Sequence, residues 1–90
     1  MFTLRYTSRF KRDLKAYRHN KDVLIELEKV LDTLAKGSNL FLKNSNHRLS
    51  GEFRDCFECH VKPDVLLIYK IYEEEITILL LRIDSHSNLF

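Results

Sequence analysis

Glu58-Cys59-His60-Val61-Lys62-Pro63-Asp64-Val65-Leu66-Leu67-Ile68-Tyr69-Lys70-Ile71-Tyr72 is the stretch on which the fold depends. Proline locks its own φ and offers no backbone donor, so Lys62-Pro63-Asp64 ends one strand and turns the chain. The run from Val65 to Tyr72 is nearly all apolar, as befits a central strand. Upstream, Phe53 to Val61 alternates: Phe53, Phe57, Cys59 and Val61 face one way, with Asp55 the exception, and Arg54, Cys56, Glu58 and His60 the other. Downstream, Glu73-Glu74-Glu75 makes a charged turn, and Ile76 to Ile83 forms a third long strand antiparallel to the central one. The carboxyl-terminal half is therefore a three-strand meander.

Toward the amino terminus, Phe2, Leu4 and Tyr6 alternate as in a half-buried strand. Thr7 or Ser8 then caps a helix with Phe10, Leu14 and Tyr17 on one face and Lys11, Lys15 and Arg18 on another, Arg12 nearby. Asn20 caps a second helix whose stripe is Val23, Leu24, Leu27, Val30, Leu31 and Leu34, and Gly37 closes it. Two helices so briefly joined form an antiparallel hairpin whose apolar face needs a sheet to cover. The expected architecture is one α+β domain over residues 1–90, an antiparallel sheet of strand, helical hairpin and meander, with helices on one face and the far face open. From Ser38 to Gly51 neither period holds, which implies a loop, with His47 inside it.

A 90-residue chain buries only roughly 60–65 % of the surface its unfolded form exposes, so a second domain does not fit. The most apolar stretches, Val65 to Ile68 and Ile76 to Leu81, fall short of the ~20 residues a membrane span requires. Met1-Phe2-Thr3-Leu4-Arg5-Tyr6 lacks the pattern of a secretory signal, and the expected location is the cytoplasm. Cys56 and Cys59 have Cys-x-x-Cys spacing, but on a strand they point to opposite faces and cannot share a disulfide or a zinc ion. The net charge of +2 divides into +6 on residues 1–21 and −4 on the remainder. Such polarity suits a polyanionic partner at the amino-terminal end or, equally, a solvated helix face.

The meander gathers polar groups at one sheet edge. His60 ends the second strand, Asp64 begins the central one, and His86 follows the last, which runs back to the same edge; His47 needs the loop to bring it in. Histidine has a reference pKa of about 6.5 and exchanges protons near pH 7, while a carboxylate can hold or charge it. With RNA as ligand, the substrate's own 2′-hydroxyl can serve as nucleophile. The protein then supplies a base, an acid and a cation near the phosphate, with no metal or other cofactor. Zinc is the competing use of three histidines and an aspartate, but the spacing matches no zinc pattern. With Gly37 and Gly51 the only glycines, no phosphate-binding glycine loop is present.

Three blocks carry a resemblance: His47-Arg48-Leu49-Ser50-Gly51, Glu58 through Tyr69, and Ser85-His86-Ser87-Asn88-Leu89-Phe90. In these, and in order and length, the chain resembles the YafQ branch of the RelE/ParE toxins of bacterial toxin–antitoxin systems. The resemblance implies a RelE-like fold and a metal-free endoribonuclease that cleaves mRNA on the ribosome and is neutralised by a cognate antitoxin. By position His47, His60, Asp64 and His86 match active-site residues; Glu58 and Phe90 match positions that assist cleavage or place the base; Arg82 matches a basic position able to meet a phosphate. Arg12 and Lys15 of the basic helix are added as RNA contacts. The chain departs from the pattern at Phe57, where arginine is usual, at Val65, where an aromatic is, at Asp84, where glycine is, and at Asn88, where an acidic residue is. Two other readings compete: a non-catalytic toxin of the same fold acting on gyrase, and a plain RNA-binding module.

Overall fold

Thr7 and Asn20 start the two long helices in the way their side chains dictate. Thr7 Oγ1 accepts from Phe10 N at 3.0 Å and opens α1, Ser8–Lys15. Asn20 Oδ1 accepts from Val23 N at 3.2 Å and opens α2, Lys21–Ala35. Gly37 closes α2 at φ +74°, its N–H donating to Leu34 O at 3.0 Å. The structure, a computed structural model, describes residues 1–37, 47–48 and 55–90. The expected loop from Ser38 to Gly51 thus lies outside the described residues, apart from the backbone of His47 and Arg48, as do Phe53 and Arg54 of the alternating run.

The strands are β1 (Thr3–Tyr6), β2 (His47–Arg48), β3 (Phe57–Lys62), β4 (Val65–Tyr72) and β5 (Thr77–Ser85), in the sheet order β1-β5-β4-β3-β2, with a short helix α3 (His86–Leu89) after β5. β3, β4 and β5 form the expected antiparallel meander. β1 instead joins β5 in parallel, Thr3 opposite Thr77 and Tyr6 opposite Leu80, which corrects the expectation of a wholly antiparallel sheet. The cause is the path of the helices. Thr7 Oγ1 donates to the carbonyls of Leu80 and Leu81, and Asp13 reaches Ile83, so α1 continues in the direction of β1. α2 then returns, and Phe2 N donates to Ala35 O at 2.6 Å at the starting end. β3 and β5 both run antiparallel to β4, and β1 runs in their direction.

Two expected strand starts move inward. Asp55 adopts φ +68°, which breaks the extended run, so β3 begins at Phe57; Ile76 adopts φ +49° within the Glu73–Ile76 turn, so β5 begins at Thr77. α1 likewise stops at Lys15, and Tyr17 lies in the join to α2 while still packing against the core.

Phe10, Val23, Leu27, Val30 and Leu34 of the helices bury against Cys59, Val61, Val65, Leu67, Tyr69, Ile78, Leu80 and Ile83 of the sheet. Phe57 stacks on Tyr69 with centroids 5.8 Å apart, so it belongs to this core. Cys59 lies in it too, and no disulfide joins it to Cys56. Burial pushes the Cys59 thiol up to about 12. The far face is closed in part rather than open throughout as expected: Leu66 and Ile68, which alternate away from the helices, are 1 % and 0 % exposed, while Tyr72 on the same side of β4 is 37 % exposed. Among the described residues no helix is long and apolar enough to cross a membrane.

Candidate functional site

The β3–β4 hairpin sets the site's position. Lys62 pairs directly with Val65, so Pro63 and Asp64 form a two-residue turn. Proline cannot take the positive φ of the usual two-residue hairpin turns, and neither residue here does. The mismatch in twist is absorbed next door, where the register slips between His60 and Lys62 and leaves Val61 as a bulge.

Register brings the expected groups to one sheet end. His60 pairs with Leu66, and Leu66 with Asp84, so the three share a row and the face opposite the helices. With strands about 4.8 Å apart, His60 and Asp84 stand roughly 10 Å apart across that row. Val65 pairs with Ser85, and Asp64 and His86 are the chain neighbours of that pair, in the turn and at the start of α3. His60 is half-buried, Asp64 and His86 exposed. His86 opens α3, and its ring lies 5.3 Å from that of the exposed Phe90.

The other expected residues divide. Glu58 is half-buried on β3, in a row with Ile68 and Arg82, and the backbone of His47 pairs with it from β2. Arg82 is engaged by a carboxylate: Nε and Nη2 donate to Asp13 at 2.6 and 3.2 Å, and Asp84 Oδ2 lies 3.8 Å away. A second register slip, which leaves Leu81 as a bulge, accompanies this turn of Arg82 toward α1. Arg12 and Lys15 are exposed in the last turn of α1, where cations also oppose the negative end of the helix dipole.

Sequence reasoning missed Tyr17 as a neighbour of the site, having placed it only on the apolar stripe. Burial raises its phenol above the usual value, and Asp84, Asp64 and Asp13 push it the same way, so the join between α1 and α2 reaches this sheet end. Asp13 is the other omission: as the lone acid of a basic helix it carried no visible signal, yet it ties α1 to β5. Among the described residues no group of three or more His, Cys, Asp or Glu is placed to hold a metal ion.

Comparison with known proteins agrees with this architecture. A metal-bound toxin from Helicobacter pylori matches at 42 % identity over the whole of both chains, with a TM-score of 0.88. YafQ from Escherichia coli BL21(DE3) shares the fold at 22 % identity, covering 100 % of this chain and 99 % of its own, with a TM-score of 0.88. The E. coli DinJ–YafQ complex matches at 23 % identity with the same coverage and a TM-score of 0.86. No match is found among curated protein sequences. The family model of YafQ, a bacterial toxin of type II toxin–antitoxin systems, matches residues 2–90. The chain belongs to the YafQ family of type II toxins.

Proposed function

We propose that this toxin is an endoribonuclease that cleaves mRNA on the ribosome, in the cytoplasm, without a metal ion, and that a protein antitoxin holds it inactive. The observation that supports the reading is the register, which pairs His60 with Leu66 and Val65 with Ser85, next to Asp64 and His86 in the chain. In the reaction the 2′-oxygen bonds to the adjacent phosphorus as the bond from phosphorus to the 5′-oxygen breaks. One of His60 and His86 takes the 2′ proton and the other gives a proton to the departing 5′-oxygen. Each transfer is typically worth about 10²–10⁴-fold. Asp64, beside His86 at the turn, orients or charges an imidazole. His47 supports the phosphate or a proton transfer, and Glu58 assists cleavage. Phe90 offers a ring on which a base can stack, and Arg12 and Lys15 add positive charge near the path of the strand. The antitoxin follows from the DinJ bound to E. coli YafQ; an acidic segment that folds on binding suits the basic α1.

Primer extension on a transcript, with and without ribosomes, tests the reading. The parent is expected to cut only with ribosomes, and His60→Ala and His86→Ala are expected to lose the cut. If either variant cleaves as the parent does, the assignment is wrong. Because the related H. pylori toxin is metal-bound, the assay is repeated with EDTA. Undiminished cleavage is expected, and abolished cleavage would replace the acid–base reading with a metal-dependent one.

A further inference from the structure

α3 is too short to hold itself. Four residues, His86–Leu89, make a single turn, and a lone turn costs more in chain entropy than its hydrogen bonds return. Yet this turn carries His86 and leads to Phe90, so something outside it must fix its angle. Asp84 Oδ1 does so twice over: it accepts from Ser85 N at 2.7 Å and from Asn88 Nδ2 at 2.9 Å. Ser85 Oγ accepts from Asn88 N at 3.3 Å, and Phe90 N donates to His86 O at 2.9 Å. Asn88 is thus gripped by side chain and backbone, from two residues at the end of β5. Asp84 is itself set by the sheet, paired with Leu66 in the row that also holds His60, and its other oxygen lies 3.8 Å from Arg82, which is anchored on Asp13 of α1.

We infer that Asp84 and Asn88 are positioning residues, a side-chain clasp that sets the α3 turn at the angle from which His86 and Phe90 face the end of β3 and β4. The inference rests on the nuclease reading for its consequence in rate, but the clasp itself is a statement about order. Neither residue touches substrate in this scheme; both act through His86 and Phe90. The polarity of the bond is specified by chemistry. A carboxylate at 84 accepts from both Ser85 N and the amide at 88, whereas two carboxylates would repel across a gap now bridged by a hydrogen. Exchanging the two does not restore the bond in place, because the single Oδ1 serves both donors and an amide at 84 that keeps its oxygen on Ser85 N sets its nitrogen on the branch that faces Arg82.

The test compares Asn88→Ala, Asn88→Asp and the double change Asp84→Asn with Asn88→Asp, read in two independent ways. By NMR, both single variants are expected to lose hydrogen-exchange protection at Phe90 N and the contact between the His86 and Phe90 rings, while protection in β4 stays as in the parent. The exchanged pair is expected to stay as the single variants are, since one oxygen serves both donors. In ribosome-dependent cleavage the single variants are expected to lose about 10- to 100-fold in kcat with KM little changed, as a displaced catalytic group does, and the exchanged pair to lose it likewise. Single variants that keep the ring contact and the protection would overturn the clasp. A lost contact with an unchanged kcat would overturn its positioning role. A parent that cleaves no transcript would remove the nuclease reading, leaving the NMR comparison to decide the clasp alone.

Discussion

Asp13→Ala removes the joint between α1 and β5, and its cost can be worked from the contacts. The Asp13 side chain is 7 % exposed and accepts from Arg82 Nε at 2.6 Å, Arg82 Nη2 at 3.2 Å and Ile83 N at 3.1 Å. Without it, a guanidinium on a side chain only 16 % exposed and an edge amide both lose their acceptor. Removing one partner of a buried pair costs about 3–5 kcal/mol. Arg82 retains some solvent and Asp84 at 3.8 Å, which places the expectation at the lower end, about 3 kcal/mol. A domain of this size has a total stability of roughly 5–13 kcal/mol, so the variant stays folded at 25 °C but with a reduced margin. Each kcal/mol moves Tm by about 4–8 °C, or some 12–24 °C in all. Urea unfolding followed by circular dichroism is the assay: the midpoint is expected to fall with the slope unchanged. Adding Arg82→Met to Asp13→Ala should recover part of the loss, because the guanidinium that lost Asp13 is then removed as well. A single-variant loss below about 1 kcal/mol, or a double variant no more stable than the single, would refute the reasoning.

Two further outcomes follow from local chemistry. The Cys59 thiol rises from 9.0 to about 12 through burial, so above pH 9 the unfolded chain sheds a proton that the folded chain keeps. Its contribution is complete below pH 9 and declines as pH climbs toward 12, by about 4 kcal/mol over the full interval; Tyr17, raised likewise, adds to the decline above its ordinary value of 10.0. Urea midpoints between pH 8 and 10.5 should therefore fall more steeply in the parent than in Cys59→Ala, and parallel curves would contradict the burial argument. At two of the left-handed positions, Ile76 and Gly37, the signs are opposite. Ile76, a β-branched residue at φ +49° and 53 % exposed, is strained, and Ile76→Asn is expected to raise stability by about 0.5–1 kcal/mol. Gly37 at φ +74° has room for a Cβ, 3.5 Å from the Phe2 ring, so Gly37→Ala should lose about 1 kcal/mol through backbone strain alone. Thermal melts with either sign reversed would show that these conformations are not what limits the turns.

Much of the chain declared itself locally. Thr7 and Asn20 cap helices because each side-chain oxygen meets an amide three residues on. Gly37 closes α2 because its φ is one that other residues resist, and Pro63 turns the chain because it cannot donate. The placement of His60, Asp64 and His86 toward one end of the sheet follows from the antiparallel meander. All of these depend on atoms a few residues apart or on a period that repeats along the strand.

What tertiary structure alone decided depends on where distant segments come to rest. The parallel seating of β1 on β5 is a consequence of α1 and α2 running out and back. The burial of Leu66 and Ile68 shows that alternation identifies a face without saying whether water reaches it. Arg82, free in the sequence to meet a phosphate, is claimed by a carboxylate 69 residues away. The departures at Asp84 and Asn88, separate oddities when read along the chain, are two ends of one hydrogen bond. Periodicity and capping are short-range and survive in a string of letters. The partner of a charged or polar side chain is chosen by packing in three dimensions, where an unmatched group is costly enough to be settled by whatever the fold brings near.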